Sequence, residues 1–243
     1  VEISERGGLP GEIFHLKVAY KPGWGILMDS VRRTVEAARA RGVDVAADMY
    51  MYTAGGTGLE ATIPSWAFEG GTDSLRARLT HPETRARLKR ELTTGSPGWW
   101  NIVESSGGWD RIVLVNARNP ANAKYQQRTI ADIARDQGKD PADAAWDLVL
   151  QGQGRVMAIY HMMSEQDIET ALRFPWTSIG SDAGAILAPG GQDQLGLPLV
   201  QVLHPGRGER DALLQRHPDQ LTAPLGHRYP HAQLEGVDGV LLG

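Results

Sequence analysis

The sequence predicts an α/β fold built on parallel strands. Three observations carry this. Two runs of alternating apolar and polar residues, 11–18 and 43–50, flank an amphipathic helical pattern and are joined to it by only a few residues. A second helix-then-strand pair, 164–173 and 176–182, follows later in the chain. The 243 residues are 41% hydrophobic, enough for a substantial core in one large domain or two small ones.

The elements follow in order. The chain opens on Val1, and Glu2 to Gly8 reads as the last turn of a helix with its glycine stop, so the start reads as cut. Gly11 to Val18 alternates and is bounded by Pro10 and Pro22-Gly23, which predicts a strand with His15 and Lys17 on one face. From Ile26 to Arg41 the apolar residues Leu27, Val31, Val35 and Ala38 recur at helical spacing, and Gly42 stops the helix. Val43 to Tyr50 is the next strand. The regularity then lapses from Thr53 to about Gly154. This stretch holds a glycine-rich turn at 54–58, a charged helix from Asp73 to Thr93, a β-like run from Arg111 to Val115, and helices at Ile130 to Gln137 and Pro141 to Leu150. A hundred structureless residues are improbable in a compact domain, so this is read as an insertion. Alternation resumes from Val156 to His161. Ser164 caps a helix running to Arg173, and Trp176 to Asp182 is a strand ending on a carboxylate. Beyond about Gly196 the chain is rich in histidine and proline and has no lysine, and residues 196–243 are read as a divergent tail without assigned structure.

Composition narrows the chemistry. The formal net charge is −4 and arginines are scattered, so no basic field exists to neutralise phosphates and nucleic acid is not expected as a partner. No apolar run approaches the ~20 residues of a membrane span, and no signal peptide opens the chain, so a membrane partner is not expected and a cytoplasmic location is. With no cysteine, histidine and carboxylate are the only strong metal ligands.

In a parallel sheet, functional side chains gather at the C-terminal ends of the strands, where His15, Tyr50 and Asp182 sit. Imidazole suits zinc, and a carboxylate beside a metal-bound water can take the proton released as that water attacks a carbonyl. A strand-end histidine also serves as a hydrogen-bonded structural residue, and a terminal aspartate as a helix cap; spacing does not choose between these. Lys17 is placed to meet a substrate carboxylate or simply to lie exposed. The 54–58 turn lacks the Gly-Lys-Ser/Thr ending of a phosphate-binding loop. His161 is read as a site residue or a structural one, and His81 as a surface residue.

Four segments occur together in order: Phe14-His15-Leu16-Lys17, Asp48 to Thr57, Met163 to Asp167, and Ile179-Gly180-Ser181-Asp182. With them the sequence resembles the N-acyl-D-amino-acid deacylases (D-aminoacylases) of the amidohydrolase superfamily, over roughly the first four-fifths of the chain. The resemblance implies the C-terminal part of a TIM-like metal-dependent hydrolase barrel with a long inserted lid at about 53–154, all within residues 1–195. It implies zinc as cofactor and an N-acylated D-amino acid as small-molecule substrate. His15 would be a zinc ligand, Asp182 the catalytic acid/base, Lys17 and Tyr50 the groups on the substrate carboxylate, and Ser181 a further substrate-binding residue. The family's other zinc ligands lie in an earlier barrel segment that this chain does not contain, so an N-terminal segment is expected as partner. Met51 stands where the family usually has proline, and the His-Pro-Arg stretch that usually follows Ser-Asp is missing. A hydantoinase-like cyclic-amide hydrolase, or a non-catalytic α/β fragment that folds against a partner segment, are the alternative readings.

Overall fold

The computed structural model of the chain describes residues 1–152 and 155–180. These fall into two compact units. One comprises Val1–Val18, Gly23–Tyr52 and residues 164–180; the other comprises Ala19–Pro22 and the described residues of Thr53–Met163.

The first unit opens with α1 (Glu2–Gly7), closed by Gly8 in the left-handed conformation at φ 63°, as the glycine stop predicts. Next come β1 (Gly11–Ile13), α2 (Leu27–Ala40) and β2 (Val45–Met49). The chain then builds the second unit from β3 (Gly55–Gly58), α3 (Gly71–Thr80), α4 (Pro82–Thr94), α5 (Ile102–Ser106), β4 (Ile112–Asn116), α6 (Ile130–Gln137), α7 (Pro141–Gln151) and β5 (Met157–Tyr160). It returns to the first unit for α8 (Glu165–Leu172) and β6 (Thr177–Ile179).

The first unit is the expected parallel α/β arrangement. Its sheet has the order β1-β2-β6 with both pairings parallel, Ile13 opposite Ala47 and Met49 opposite Ile179. Side chains alternate across a strand. Val45, Ala47 and Met49 on β2 therefore enter the core with Met28 and Val35 of α2 and Ile168, Ala171 and Leu172 of α8. Ser164 caps α8 as the sequence predicts, its hydroxyl accepting from the Asp167 amide at 3.1 Å. The Asp167 carboxylate in turn accepts from the Gly25 amide, 3.1 Å from each oxygen, and so pins the approach to α2 against the start of α8.

One expectation for this unit fails. The strand predicted from Gly11 to Val18 stops at Ile13, and residues 14–15 form a turn. His15 has φ 43°, in the left-handed region, which no strand accommodates. His15 and Lys17 therefore do not share a strand face. The alternation nevertheless reports burial correctly, because Leu16 and Val18 lie in the core.

The second unit is centred on an antiparallel sheet of order β3-β5-β4. Residues 54–58, expected to be a turn, supply β3 instead. The ends of the Glu60 and Arg155 side chains close over Gly58: a Cβ there would lie 2.5 Å from Glu60 Cδ and 2.6 Å from Arg155 Nε, so both would have to move aside. The Tyr160 hydroxyl, fully buried, donates to the Gly58 carbonyl at 2.9 Å. Burial, helped by the nearby Glu60 carboxylate, drives the Tyr160 phenol far above its usual range and keeps it a donor. The charged helix expected from 73 to 93 is two helices. Proline disfavours the helical conformation in the residue before it, so His81 adopts φ −79°, ψ 119° and Pro82 starts α4 afresh. His81 is exposed, as read from the sequence.

Helices α6 and α7 form where the periodicity places them. Thr129 caps the first by accepting from the Asp132 amide, and Asp140 caps the second by accepting from the Ala142 and Asp143 amides. Arg85 on α4 ties to α7: its guanidinium donates to Asp143 Oδ1 and Asp147 Oδ1, each at 2.7 Å, while Lys89 Nζ reaches Asp143 Oδ2 at 2.6 Å. Partial burial raises the Asp143 pKa, but the hydrogen bonds from Lys89 and Arg85 outweigh it and hold the group below the usual carboxylate range.

Two outcomes follow from this packing. Leu114 on β4 is fully buried, so Leu114→Ala should cost ~2–5 kcal/mol of stability in urea unfolding. The His161 amide donates to the Arg111 carbonyl and its own carbonyl accepts from Arg111 Nε, each at 3.0 Å, and burial, with the Arg111 charge adding to it, lowers the pKa of its imidazole. A histidine neutral in the fold and protonated when unfolded contributes stability above its unfolded pKa of about 6.5, which is lost as pH falls through that value. Thermal unfolding followed from neutral pH into the acid range should show this loss, and His161→Gln should flatten that part of the profile.

Candidate functional site

All three strands of the first unit run the same way, so the chain segments that leave β1, β2 and β6 emerge at one edge of the sheet. In parallel α/β sheets this carboxyl edge is where ligands bind. Here it carries Phe14 and His15 after β1, Tyr50 after β2, and Gly180 after β6, whose amide donates to the Met49 carbonyl at 2.9 Å.

The regular β1–β2 ladder ends at Ile13 opposite Ala47, and the next contacts are of another kind. The Asp48 carboxylate accepts from the His15 amide at 2.7 Å, and the Asp48 carbonyl accepts from the Leu16 amide at 2.7 Å. Asp48 is 3% exposed. One residue further along, the Lys17 ammonium lies 4.9 Å from the centroid of the Tyr50 ring. Tyr50 is buried and stacks on the more exposed Tyr52, with ring centroids 6.0 Å apart. The Phe14 ring sits 4.3 Å from that of His15. Beneath this edge, on β6, the buried Ser178 hydroxyl donates to the Ala47 carbonyl at 3.2 Å.

Of the residues singled out from sequence, the structure brings Lys17 and Tyr50 into direct contact and places His15 two residues before Lys17, in the turn clasped by Asp48. Ser181 and Asp182, and the tail from 196, lie outside the described residues. Asp48 itself was missed as a site residue. Its signal was present, since a carboxylate interrupts the otherwise apolar run Val45-Ala46-Ala47-Asp48-Met49, and a charge is buried only where partners receive it.

The edge thus sets an ammonium against a phenol ring, whose quadrupole attracts it, and brings together two side-chain types, ammonium and phenol, whose chemistry includes donating to anions. It is not suited, from the described residues alone, to holding zinc. Zinc takes three or four protein ligands, and among the described residues no group of three or more His, Asp or Glu side chains could hold a metal ion.

No protein-family model matches the chain, and no curated protein does. Solved structures do match. The chain is similar to the N-acyl-D-glutamate deacylase from Bordetella bronchiseptica, solved with zinc and a phosphonate inhibitor, at 21% identity and a TM-score of 0.49 over 74% of this chain and 28% of that one. It is also similar to D-aminoacylase, in a structure described as defining a novel subset of amidohydrolases, at 25% identity and a TM-score of 0.47 over 74% of this chain and 27% of that one. A further D-aminoacylase structure, concerned with the role of its binuclear metal centre, matches at the same identity, coverage and TM-score. The chain thus resembles solved D-aminoacylase structures and spans a little over a quarter of their length.

Proposed function

We propose that this chain is part of a metal-dependent amide hydrolase that cleaves N-acyl-D-amino acids, and that it supplies the side of the site that holds the substrate's carboxylate. The observation that carries this reading is the Lys17–Tyr50 pair at the carboxyl edge of the parallel sheet. Lysine meets a carboxylate as a point charge, and the Tyr50 hydroxyl donates a hydrogen bond to the same group. The four ordered segments of the deacylase resemblance supply the substrate class.

In this reading β1, β2 and β6 are the last three strands of a barrel. Ser181 and Asp182 follow Gly180 from the end of β6, with Ser181 on the substrate. Asp182 takes a proton from the attacking water and passes it to the departing amine, the double use of one carboxyl that acid–base catalysis of amide hydrolysis requires. His15 is a zinc ligand, and the rest of the metal's shell comes from outside the described residues.

The kinetics of the parent enzyme on N-acetyl-D-alanine separate these roles. Lys17→Ala removes a charge-assisted hydrogen bond worth ~1.5–3 kcal/mol, so KM should rise about tenfold to a hundredfold with kcat little changed. Asp182→Asn should lower kcat by about 10²-fold or more with KM nearly constant. An unchanged KM in the lysine variant would remove the carboxylate assignment. The 243-residue chain alone should bind zinc weakly and turn over little substrate; tight zinc binding with rapid turnover by this chain would refute its being only one part of the site.

A further inference from the structure

The geometry points to Asp48 as the positioning residue of the carboxylate-binding pair, an inference that rests on the reading of Lys17 and Tyr50 given above. β1 stops hydrogen-bonding in register at Ile13, yet Lys17, four residues later, still meets Tyr50 across the gap. Something other than the ladder must hold residues 14–17 beside 48–50. Asp48 supplies two hydrogen bonds between these segments, through its carboxylate to the His15 amide and through its carbonyl to the Leu16 amide.

The side-chain bond is needed because His15 is in the left-handed conformation at φ 43°. A non-glycine residue there is unfavourable by roughly 1–2 kcal/mol. The Asp48 carbonyl, which a continued ladder would offer to the His15 amide, accepts from the Leu16 amide instead, and the Asp48 carboxylate takes the His15 amide. The 2.7 Å bond to an oxygen of an almost wholly buried side chain contributes against that cost and holds the turn. The turn then sends Leu16 into the core and leaves Lys17 over the Tyr50 ring. Asp48 makes no contact with substrate in this scheme. It acts through the path of the backbone, and what it requires is an acceptor atom at that place and not a negative charge.

The test uses the full chain and two measurements by NMR: hydrogen exchange of the His15 amide, and the shifts of Lys17 and Tyr50 on titration with N-acetyl-D-alanine, with N-acetyl-D-alaninamide as the control lacking a carboxylate. Asp48→Ala should speed exchange of the His15 amide about tenfold to a hundredfold and weaken binding of the acid by about tenfold or more. Asp48→Asn, which keeps an acceptor oxygen, should hold both within about threefold of the parent chain. Unchanged exchange in the alanine variant overturns the clamp. Faster exchange with unchanged affinity overturns the positioning role and leaves Asp48 a structural residue. Should the alanine variant fail to fold, the asparagine variant decides, and affinity falling to the level of Lys17→Ala would overturn a role that needs only an acceptor. If the parent chain shows no carboxylate-dependent shift at Lys17 and Tyr50, the binding reading fails and the positioning role fails with it, while the exchange rates report separately whether Asp48 holds the turn.

Discussion

The first unit depends on β2. It is the central strand of three, so both its edges are committed to parallel neighbours, and its alternate residues are committed to opposite faces. Val45, Ala47 and Met49 fill the layer beneath α2 and α8. The residues between them are left for the other face, where Asp48 is buried with its oxygen on the His15 amide. A one-residue slip of β2 would put a carboxylate into the apolar layer and a methionine where the turn needs an acceptor. The same register therefore serves the core and the site.

The second unit is held by different means. Its sheet is antiparallel and small, and its helices lock to each other partly through ions. Arg85 and Lys89 on α4 converge on Asp143 and Asp147 of α7 from positions only partly open to water. Pairs of this kind gain more than exposed ones, because less of their attraction is screened and several charges share the cost of ordering. The exposed pairs along α2, Arg32 with Asp29 and Glu36, add little beyond local helix support.

Much of the architecture was legible in the sequence because it rests on local rules. Helical spacing, Ser164 as a cap and Gly8 as a stop each report the chain's own hydrogen-bonding needs and appear as read, and Thr129 and Asp140 cap their helices by the same rule. Two local rules were overridden. Apolar alternation from 14 to 18 records which side chains are buried, and burial does not require a ladder. The glycines of 54–58 suggest a turn, but an antiparallel partner, β5, pairs with them, and the Glu60 and Arg155 side chains fill the space beside Gly58. The break at His81-Pro82 lay in plain view, since proline constrains the residue before it.

For the site, the sequence by itself determined the residue types with useful chemistry and their order: a histidine and a lysine two apart after one strand, a tyrosine after the next, and a carboxylate after the last. Only the tertiary structure decided that Lys17 meets the Tyr50 ring, that His15 stands in a left-handed turn, and that Asp48 holds that turn. The reason is physical. Spacing along a chain specifies which face of its own element a residue occupies, whereas a contact between residues 33 positions apart depends on where a ladder ends and which side chain takes the place of the missing carbonyl.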